Sequence, residues 1–142
     1  MTQSVESKPT LDQQRAAFAL KRIQQLAKGG QDVGHYVSYV SALPATIVMN
    51  GLGQALTTQL AKAKGNPKAP RRMLYNHVAG WLSQQIKELW VPDDDLPKVI
   101  DRLMEGNQDV YVRAQGEAMA YLNWLKQFAR AYLQEKEGQS DE

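Results

Sequence analysis

Apolar side chains recur at helical spacing along most of the chain. In residues 11–28 they share one face at about 100° per residue, which predicts an amphipathic helix. Thr10 or Asp12 suits its N-cap, and Gly29 with Gly30 would end it. The predicted core positions are Ala16, Ala19, Leu20, Ile23, Leu26 and Ala27.

Another face of this helix carries an aromatic ring between two guanidinium groups. Arg15, Phe18 and Arg22 occupy positions i, i+3 and i+7 and therefore lie on one side of the helix. We expect this stripe to point outward. It would then stack on a base, pack on a partner subunit or form a rim of the core.

Residues 33–63 form a second predicted helical region, which is apolar on much of its surface. Pro44 lies inside it, and a proline in the middle of a helix loses a hydrogen bond and clashes with the preceding turn. The region is therefore expected to kink there, or to restart with Ser41 or Leu43 as the cap. Either outcome gives one bent helix or two abutting helices.

Gly51 and Gly53 lie in this region, within the sequence NGLGQAL. A dinucleotide-binding fingerprint has the pattern G-x-G-x-x-G between a strand and a helix, and a Walker loop has the pattern G-x-x-x-x-G-K-[ST]. Neither pattern is present in this segment. Glycine in a helix costs up to about 1 kcal/mol relative to alanine. We therefore expect both glycines to allow the close approach of another backbone, with packing favoured over direct ligand contact.

Three further helices are predicted after an exposed basic loop at residues 62–72. Pro70 suits the first turn of a helix over 71–90, a short helix spans 95–105, and the last helix spans about 109–134. The expected buried positions are Leu74, Val78, Trp81, Leu82, Ile86 and Leu89, then Val99, Ile100, Leu103 and Met104, then Ala114, Ala118, Tyr121, Leu122, Leu125, Phe128, Ala129 and Tyr132.

The periodicity indicates an all-α fold. No segment alternates apolar and polar residues with period two over enough positions to form a strand. We expect a compact, single-domain bundle of about five to six helices with no sheet over residues 1–142, with flexible tails at 1–9 and 135–142. A chain of this length buries roughly two thirds of its unfolded surface, which is enough for one core.

Charge is distributed unevenly along the sequence. The net charge is only +2, but residues 1–87 contain eleven Lys or Arg against three acids, and residues 88–142 contain six against twelve. Such asymmetry suggests a polyanionic partner or an oppositely charged protein surface. Alternatively, the two halves neutralise each other within the fold.

The sequence offers no pattern typical of a catalytic or metal site. It has no cysteine, which excludes disulfides, thiolate metal sites and a cysteine nucleophile. Asp93, Asp94 and Asp95 are explained more simply as capping acids of a helix than as calcium ligands, which are spaced at alternate positions. His35 and His77 lack the spacing of a paired zinc site. We expect no enzyme, no cofactor and no metal.

Glu105 and Glu117 stand alone in the sequence, so no carboxylate pair for acid–base catalysis is predicted. No run approaches the roughly 18 apolar residues that a membrane span needs, and the N-terminal residues have no signal-peptide core. We therefore expect a cytoplasmic protein without membrane contact and without a small-molecule substrate.

Basic residues are the remaining chemical signal, because lysines and arginines in a loop and on helices can follow a phosphate backbone. The candidate residues for contact with a phosphate backbone are Lys21, Arg22, Lys62, Lys64, Arg71, Arg72, Arg113, Lys126 and Arg130.

Two segments resemble the signature blocks of the small α-helical subunit of type III-B CRISPR-Cas effector complexes. They are YVSYVSALPATIVMNGLGQAL, from Tyr36 to Leu56, and YVRAQGEAMAYLNWLKQFA, from Tyr111 to Ala129. The RAAFA segment at residues 15–19 fits the same pattern. The Leu-Pro followed by Asn-Gly-Leu is the most specific part of the resemblance.

The resemblance implies a non-catalytic subunit of an RNA-guided, RNA-targeting complex in antiviral defence. Several copies would stack beside the backbone filament, reach the large subunit and help line the groove where target RNA pairs with guide RNA. The opposite charges of the two halves would assist head-to-tail stacking. The candidate subunit-interface residues are Arg15, Phe18, Asn50, Gly51, Gly53 and Gln54.

Two other classes of protein remain open. One is a purely structural helical adaptor that binds only protein, with its basic face on an acidic partner. The other is a DNA-binding regulator with a helix-turn-helix, although the long, proline-rich turn at residues 62–72 disfavours that motif, whose turn has three or four residues.

Overall fold

The computed structural model describes residues 7–29 and 33–133, which form six α-helices and no strand. The helices are α1 (Leu11–Lys28), α2 (Gly34–Asn50), α3 (Leu52–Ala63), α4 (Pro70–Gln85), α5 (Lys98–Glu105) and α6 (Gln108–Tyr132), with single 3₁₀ turns at Lys87–Leu89 and Asp93–Asp95. The predicted all-α class is confirmed. The tail predicted at 135–142, and residues 1–6 of the tail predicted at 1–9, lie outside the described residues.

Helices α6 and α4 are the two hubs of the bundle, because each contacts every other α-helix. Helix α6 has 25 residues and packs most extensively against α1 and α2. Its inward face carries small residues, Ala114, Ala118 and Ala129, which are fully buried and let neighbouring helices approach closely. The long helix therefore forms the axis around which the shorter helices are arranged.

Helix α1 begins with a capping box. The Thr10 hydroxyl accepts a hydrogen bond from the Gln13 backbone N–H at 3.0 Å, and the Gln13 side chain accepts one from the Thr10 backbone N–H at 2.8 Å. Each contact satisfies a backbone donor that the first turn leaves open. Of the two predicted caps, Thr10 is therefore the correct one.

The junction between α2 and α3 lies at Gly51, not at Pro44. Helix α2 continues through Pro44, so the predicted restart at Ser41 or Leu43 is wrong, whereas the expectation of two abutting helices is confirmed. Gly51 has φ +87°, a conformation that L side chains rarely adopt and glycine adopts readily. The helix break therefore occurs at Gly51, where the backbone can turn, and not at Pro44, which lacks a backbone N–H.

The predicted helix over 71–90 ends at Gln85, because Ile86 is in an extended conformation. The helix predicted over 95–105 begins only at Lys98. Its predicted acidic cap is wrong: residues 93–95 form a separate 3₁₀ turn, and no side chain caps α5. Asp95 instead lies 3.9 Å from the Lys98 ammonium group.

Most of the predicted core positions are buried or partly buried. Three predictions are wrong, because Ala27, Met104 and Tyr132 are exposed. Each of the three lies within the last two residues of its helix. Periodicity assigns these positions to the inward face, but at these helix ends the neighbouring helices leave much of each side chain exposed.

Candidate nucleic-acid interface

Arg71 lies in the first turn of α4 and is buried, so its assignment to an exposed loop is wrong. Pro70 occupies the first position of α4, and a proline there starts the helix one residue before Arg71. The Arg71 guanidinium carbon lies 4.0 Å from the centroid of the Tyr39 ring on α2, and Nη1 donates to Gln59 Oε1 on α3 at 3.2 Å. A ring face and an amide therefore fix the orientation of this cation.

Arg71 and Lys62 line a cavity of about 260 Å³ between α2, α3 and α4, which we call the Arg71 cleft. Its other polar lining residues are Thr46, Asn50, Thr58 and Gln59. The cleft therefore offers two cations with hydroxyl and amide groups, and no carboxylate among the described residues lines it. This set of donors suits a phosphate group.

The loop between α3 and α4 extends the positive charge beyond the Arg71 cleft. Lys64 and Lys68 are exposed, and Lys64 is in the left-handed conformation with φ 54°. The N-cap of α4, Ala69, has no side-chain cap, so the positive end of the helix dipole faces this loop. Arg72 is partly buried and its Nε donates to Asn76 Oδ1 at 3.1 Å.

Side chains of α5 and α6 fill the place that Gly51 and Gly53 leave open. A Cβ atom on Gly51 would lie 3.2 Å from the Tyr111 hydroxyl, and one on Gly53 would lie 2.7 Å from the terminal methyl of Met104. The Gly53 backbone N–H donates to the Tyr111 hydroxyl at 2.8 Å, and the backbone N–H of Leu52 donates to the Gln115 side chain at 3.0 Å. Two α6 side chains therefore cap α3.

This contact agrees with the expectation of packing, but the group that approaches the glycines is a side chain of the same chain rather than a second backbone. Next to it, Asn50, Gly53 and Gln54 line a cavity of about 410 Å³. Val48 and Met49 are strongly exposed in the last turn of α2. Two large apolar side chains are therefore exposed directly before the cavity-lining Asn50 in the sequence, and methionine is enriched at protein–protein contacts.

The stripe of Arg15, Phe18 and Arg22 does not point outward as predicted. Phe18 packs on the rings of Trp81 and Tyr121, at centroid distances of 5.2 and 5.9 Å. The Arg22 guanidinium lies 4.0 Å from the centroid of the Phe18 ring. Of the three predicted environments, the rim of the core is the one observed, because the aromatic residues of α4 and α6 cover this face.

Arg15 forms an ion pair with Glu117. Arg15 Nε and Nη2 donate to the two carboxylate oxygens at 2.6 and 2.9 Å, and Trp81 Nε1 donates to Oε2 at 2.8 Å. Burial opposes ionisation of Glu117, but the hydrogen bonds from Arg15 and Trp81 hold its pKa below the usual value. Because the partners are 102 positions apart, no local pattern could reveal the pair.

Tyr36, which is fully buried, and His77, which is partly buried, form a polar contact between α2 and α4. The Tyr36 hydroxyl lies 2.6 Å from His77 Nδ1. Burial, with a smaller contribution from the Arg22 charge, lowers the pKa of His77 to about 3. Burial also raises the pKa of Tyr36 far above its usual value, so the hydroxyl keeps its proton. We assign the tyrosine as the donor and Nδ1 as the acceptor.

The nine candidate phosphate-contact residues, which the resemblance makes candidates for RNA binding, do not all line one cavity. Lys62 and Arg71 line the Arg71 cleft, whereas Lys21 and Arg22 line a separate cavity between α1 and α4. Arg113 is exposed and donates to Glu88 at 3.4 Å. On α6, Lys126 is partly buried and Arg130 is exposed.

Among residues 7–29 and 33–133, no three His, Cys, Asp or Glu side chains come together in a way that could hold a metal ion. No helix in the same ranges has the length and apolar character needed to cross a membrane.

Comparison with known proteins identifies the family. The sequence profile described as "CRISPR-associated protein (Cas_Cmr5)" matches residues 11–132. The fold is similar to the X-ray crystal structure of a CRISPR-associated Cmr5 family protein from Thermus thermophilus, with a TM-score of 0.70 and 27% sequence identity. That match covers 89% of this chain and 100% of the Thermus chain. The chain therefore belongs to the Cmr5 family of CRISPR-associated proteins, the small subunits of type III-B effector complexes.

Proposed function

We propose that this chain is a non-catalytic subunit that stacks along the backbone filament of an RNA-guided effector complex and helps line the groove for guide and target RNA. Its partners are then the backbone and large subunits, further copies of itself and the RNA, and it acts in the cytoplasm. The observation that carries the RNA contact is the Arg71 cleft, where a guanidinium is held in place by Tyr39 and Gln59.

The cleft and the adjoining loop have different parts in this proposal. Arg71 is pre-oriented, so little conformational entropy is lost when it donates to a phosphate oxygen. Lys64 and Lys68 are exposed and attract the phosphate backbone of RNA by charge alone. These contacts carry no sequence information, because sequence is read by pairing between guide and target.

Stacking and contact with other subunits are assigned to the surface around Asn50, Gly53 and Gln54, next to the exposed Val48 and Met49. A purely protein-binding adaptor is the second candidate, and these exposed apolar side chains are the observation that favours it. The helix-turn-helix alternative is less favoured, because residues 64–69 separate α3 from α4 and such a turn is longer than that motif uses.

The test is RNA crosslinking in a reconstituted complex. The variant replaces the exposed Lys62, Lys64 and Lys68 by alanine, and the matched control replaces the exposed Lys28, Lys87 and Lys98. We expect the first variant to assemble, to crosslink less and to show a shallower dependence of RNA affinity on salt, since each lost phosphate contact lowers the slope by about one.

The control is expected to behave as the unmodified chain does. Unchanged crosslinking with failed assembly would instead support the adaptor.

A further variant, Arg71→Lys, retains the charge but loses the planar group on Tyr39. It is expected to weaken RNA contact if orientation matters, as proposed, and to leave it unchanged if only net charge matters.

A further inference from the structure

The Arg71 cleft adjoins a second cavity whose lining residues carry no charge. This second cavity, which we call the amide pocket, has a volume of about 410 Å³, and the amides of Asn50 and Gln54 line it. Asn50 and Thr58 line both cavities, so the two adjoin at these side chains. The surface therefore places a cationic cavity directly beside an uncharged one.

Hydrogen-bonding side chains line part of the amide pocket. Gln54, Thr57 and Thr58 lie at positions i, i+3 and i+4 of α3 and therefore share one side of that helix. Asn50, the last residue of α2, and Gln54 are exposed, and their amides form no hydrogen bond with another described residue. Each amide thus has N–H donors and a carbonyl acceptor available for a ligand.

Apolar surface completes the lining of the amide pocket. It comes from Met104 at the C-terminal end of α5 and from the Tyr111 ring on α6. Met104 is exposed, and a methionine side chain is flexible enough to adapt to a flat ring. A nucleobase needs both kinds of surface, because its edge forms hydrogen bonds and its faces pack on aromatic or apolar groups.

We propose that the amide pocket holds one unpaired base of an RNA strand whose phosphate is bound in the Arg71 cleft. The inference rests on the proposed function and extends it from contact with the RNA backbone to contact with a base. A nucleotide has the same pattern as the two cavities, since its anionic phosphate is linked to an uncharged base.

The amide pocket distinguishes unpaired from paired RNA rather than one sequence from another. The edge of every unpaired base has a donor next to an acceptor, as an amide does, so the two amides accept any base. A base within a duplex has this edge occupied by its pairing partner and cannot form the same contacts. The pocket therefore engages RNA only where a base is left unpaired.

The amide pocket lies on the surface that was assigned to subunit contacts. Those contacts then depend on Val48 and Met49, which are exposed and line neither of the two cavities. A protein segment inside the amide pocket is the competing occupant. A test therefore has to separate contact with a base, contact with a phosphate and assembly of the complex.

The test compares two photoreactive target RNAs in the reconstituted complex. One carries 4-thiouridine at successive positions, either paired with the guide or mismatched to it, and the other carries an aryl azide on its phosphates. The reactive atom of the first probe is on the base, so a crosslink to Met104 or Tyr111, identified by mass spectrometry, places a base in the amide pocket. We expect these crosslinks from mismatched positions and not from paired ones.

The variant for this test combines Asn50→Ala with Gln54→Ala. Its matched control combines Asn123→Ala with Gln25→Ala, which also change exposed residues but line neither cavity. We expect the variant to assemble, to lose about tenfold in crosslinking yield with the base probe and to keep its yield with the phosphate probe. The control should keep both yields.

Three outcomes would overturn the proposal, and they have different consequences. Crosslinks from the phosphate probe without any from the base probe to Met104 or Tyr111 would remove the base contact and leave the proposed function intact. Failure of both probes to crosslink to the chain would remove the proposed function as well. Failed assembly of the variant, while the control assembles, would assign the amide pocket to a protein segment.

Discussion

Acidification is expected to destabilise this protein well above the pH at which carboxylates titrate, and His77 is the cause. The ring is neutral in the folded state because burial lowers its pKa to about 3, against an ordinary value of 6.5. Unfolding therefore takes up a proton once the pH is below 6.5. The contribution to stability is fully present above pH 6.5 and is lost as the pH falls from 6.5 towards 3.

The magnitude follows from the two pKa values. Each pH unit within the window lowers the free energy of unfolding by about 1.4 kcal/mol, so the loss between pH 7 and pH 5 reaches about 2 kcal/mol. Glu117 contributes little there, because its pKa lies below 4.5 and its contribution is lost only at lower pH. The range from pH 7 to pH 5 therefore isolates the histidine.

The assay is urea unfolding at pH 7 and pH 5 for the unmodified chain, for His77→Gln and for the matched control His35→Gln. His77→Gln is expected to be less stable at pH 7, because the contact with Tyr36 changes, but it should lose most of the pH dependence. The control should keep that dependence. Equal losses in all three proteins, or an NMR titration that places the His77 pKa above 6, would refute the reasoning.

Two further substitutions test contacts that join distant helices. Glu117→Gln should lower the free energy of unfolding at pH 7 by about 2 kcal/mol, because Arg15 loses its anionic partner. This difference from the unmodified chain should shrink below pH 4, where the native carboxylate becomes protonated. A difference that is the same at pH 3 and pH 7 would contradict this account. Tyr111→Phe removes the acceptor for the Gly53 N–H and should lower the free energy of unfolding, measured with urea, by about 1 kcal/mol. The control Tyr132→Phe changes an exposed residue and should leave this free energy unchanged. Equal effects of the two substitutions would show that the cap of α3 contributes no stability.

The helices and their inward faces could be predicted from the sequence because both depend on local spacing. Leu74, Val78 and Leu82 are fully buried as expected, since a stripe at helical period has to face the core. The predictions failed at helix ends: Tyr132 is 62% exposed, and Met104 is 57% exposed although its terminal methyl lies next to Gly53. Periodicity records which side of a helix is apolar but not how far the neighbouring helix reaches.

The candidate sites were harder to predict because their geometry depends on pairs that are distant in the sequence. Gly53 meets Tyr111 across 58 positions, so the two glycines could be interpreted as packing residues without any indication of what packs on them. Arg71 is a different case, because Pro70 already predicted a helix start. A helical first turn next to an apolar α2 could have indicated that this arginine turns inward.

A charge asymmetry along a sequence does not by itself produce oppositely charged ends of the molecule. Helix α1, from the basic half, packs along α6, from the acidic half, and Arg15 pairs directly with Glu117. Near Tyr75 on α4, Arg72 and Asp101 act on the same hydroxyl with opposite sign. The two halves therefore neutralise each other in part, and any salt dependence of self-association has to come from local surfaces.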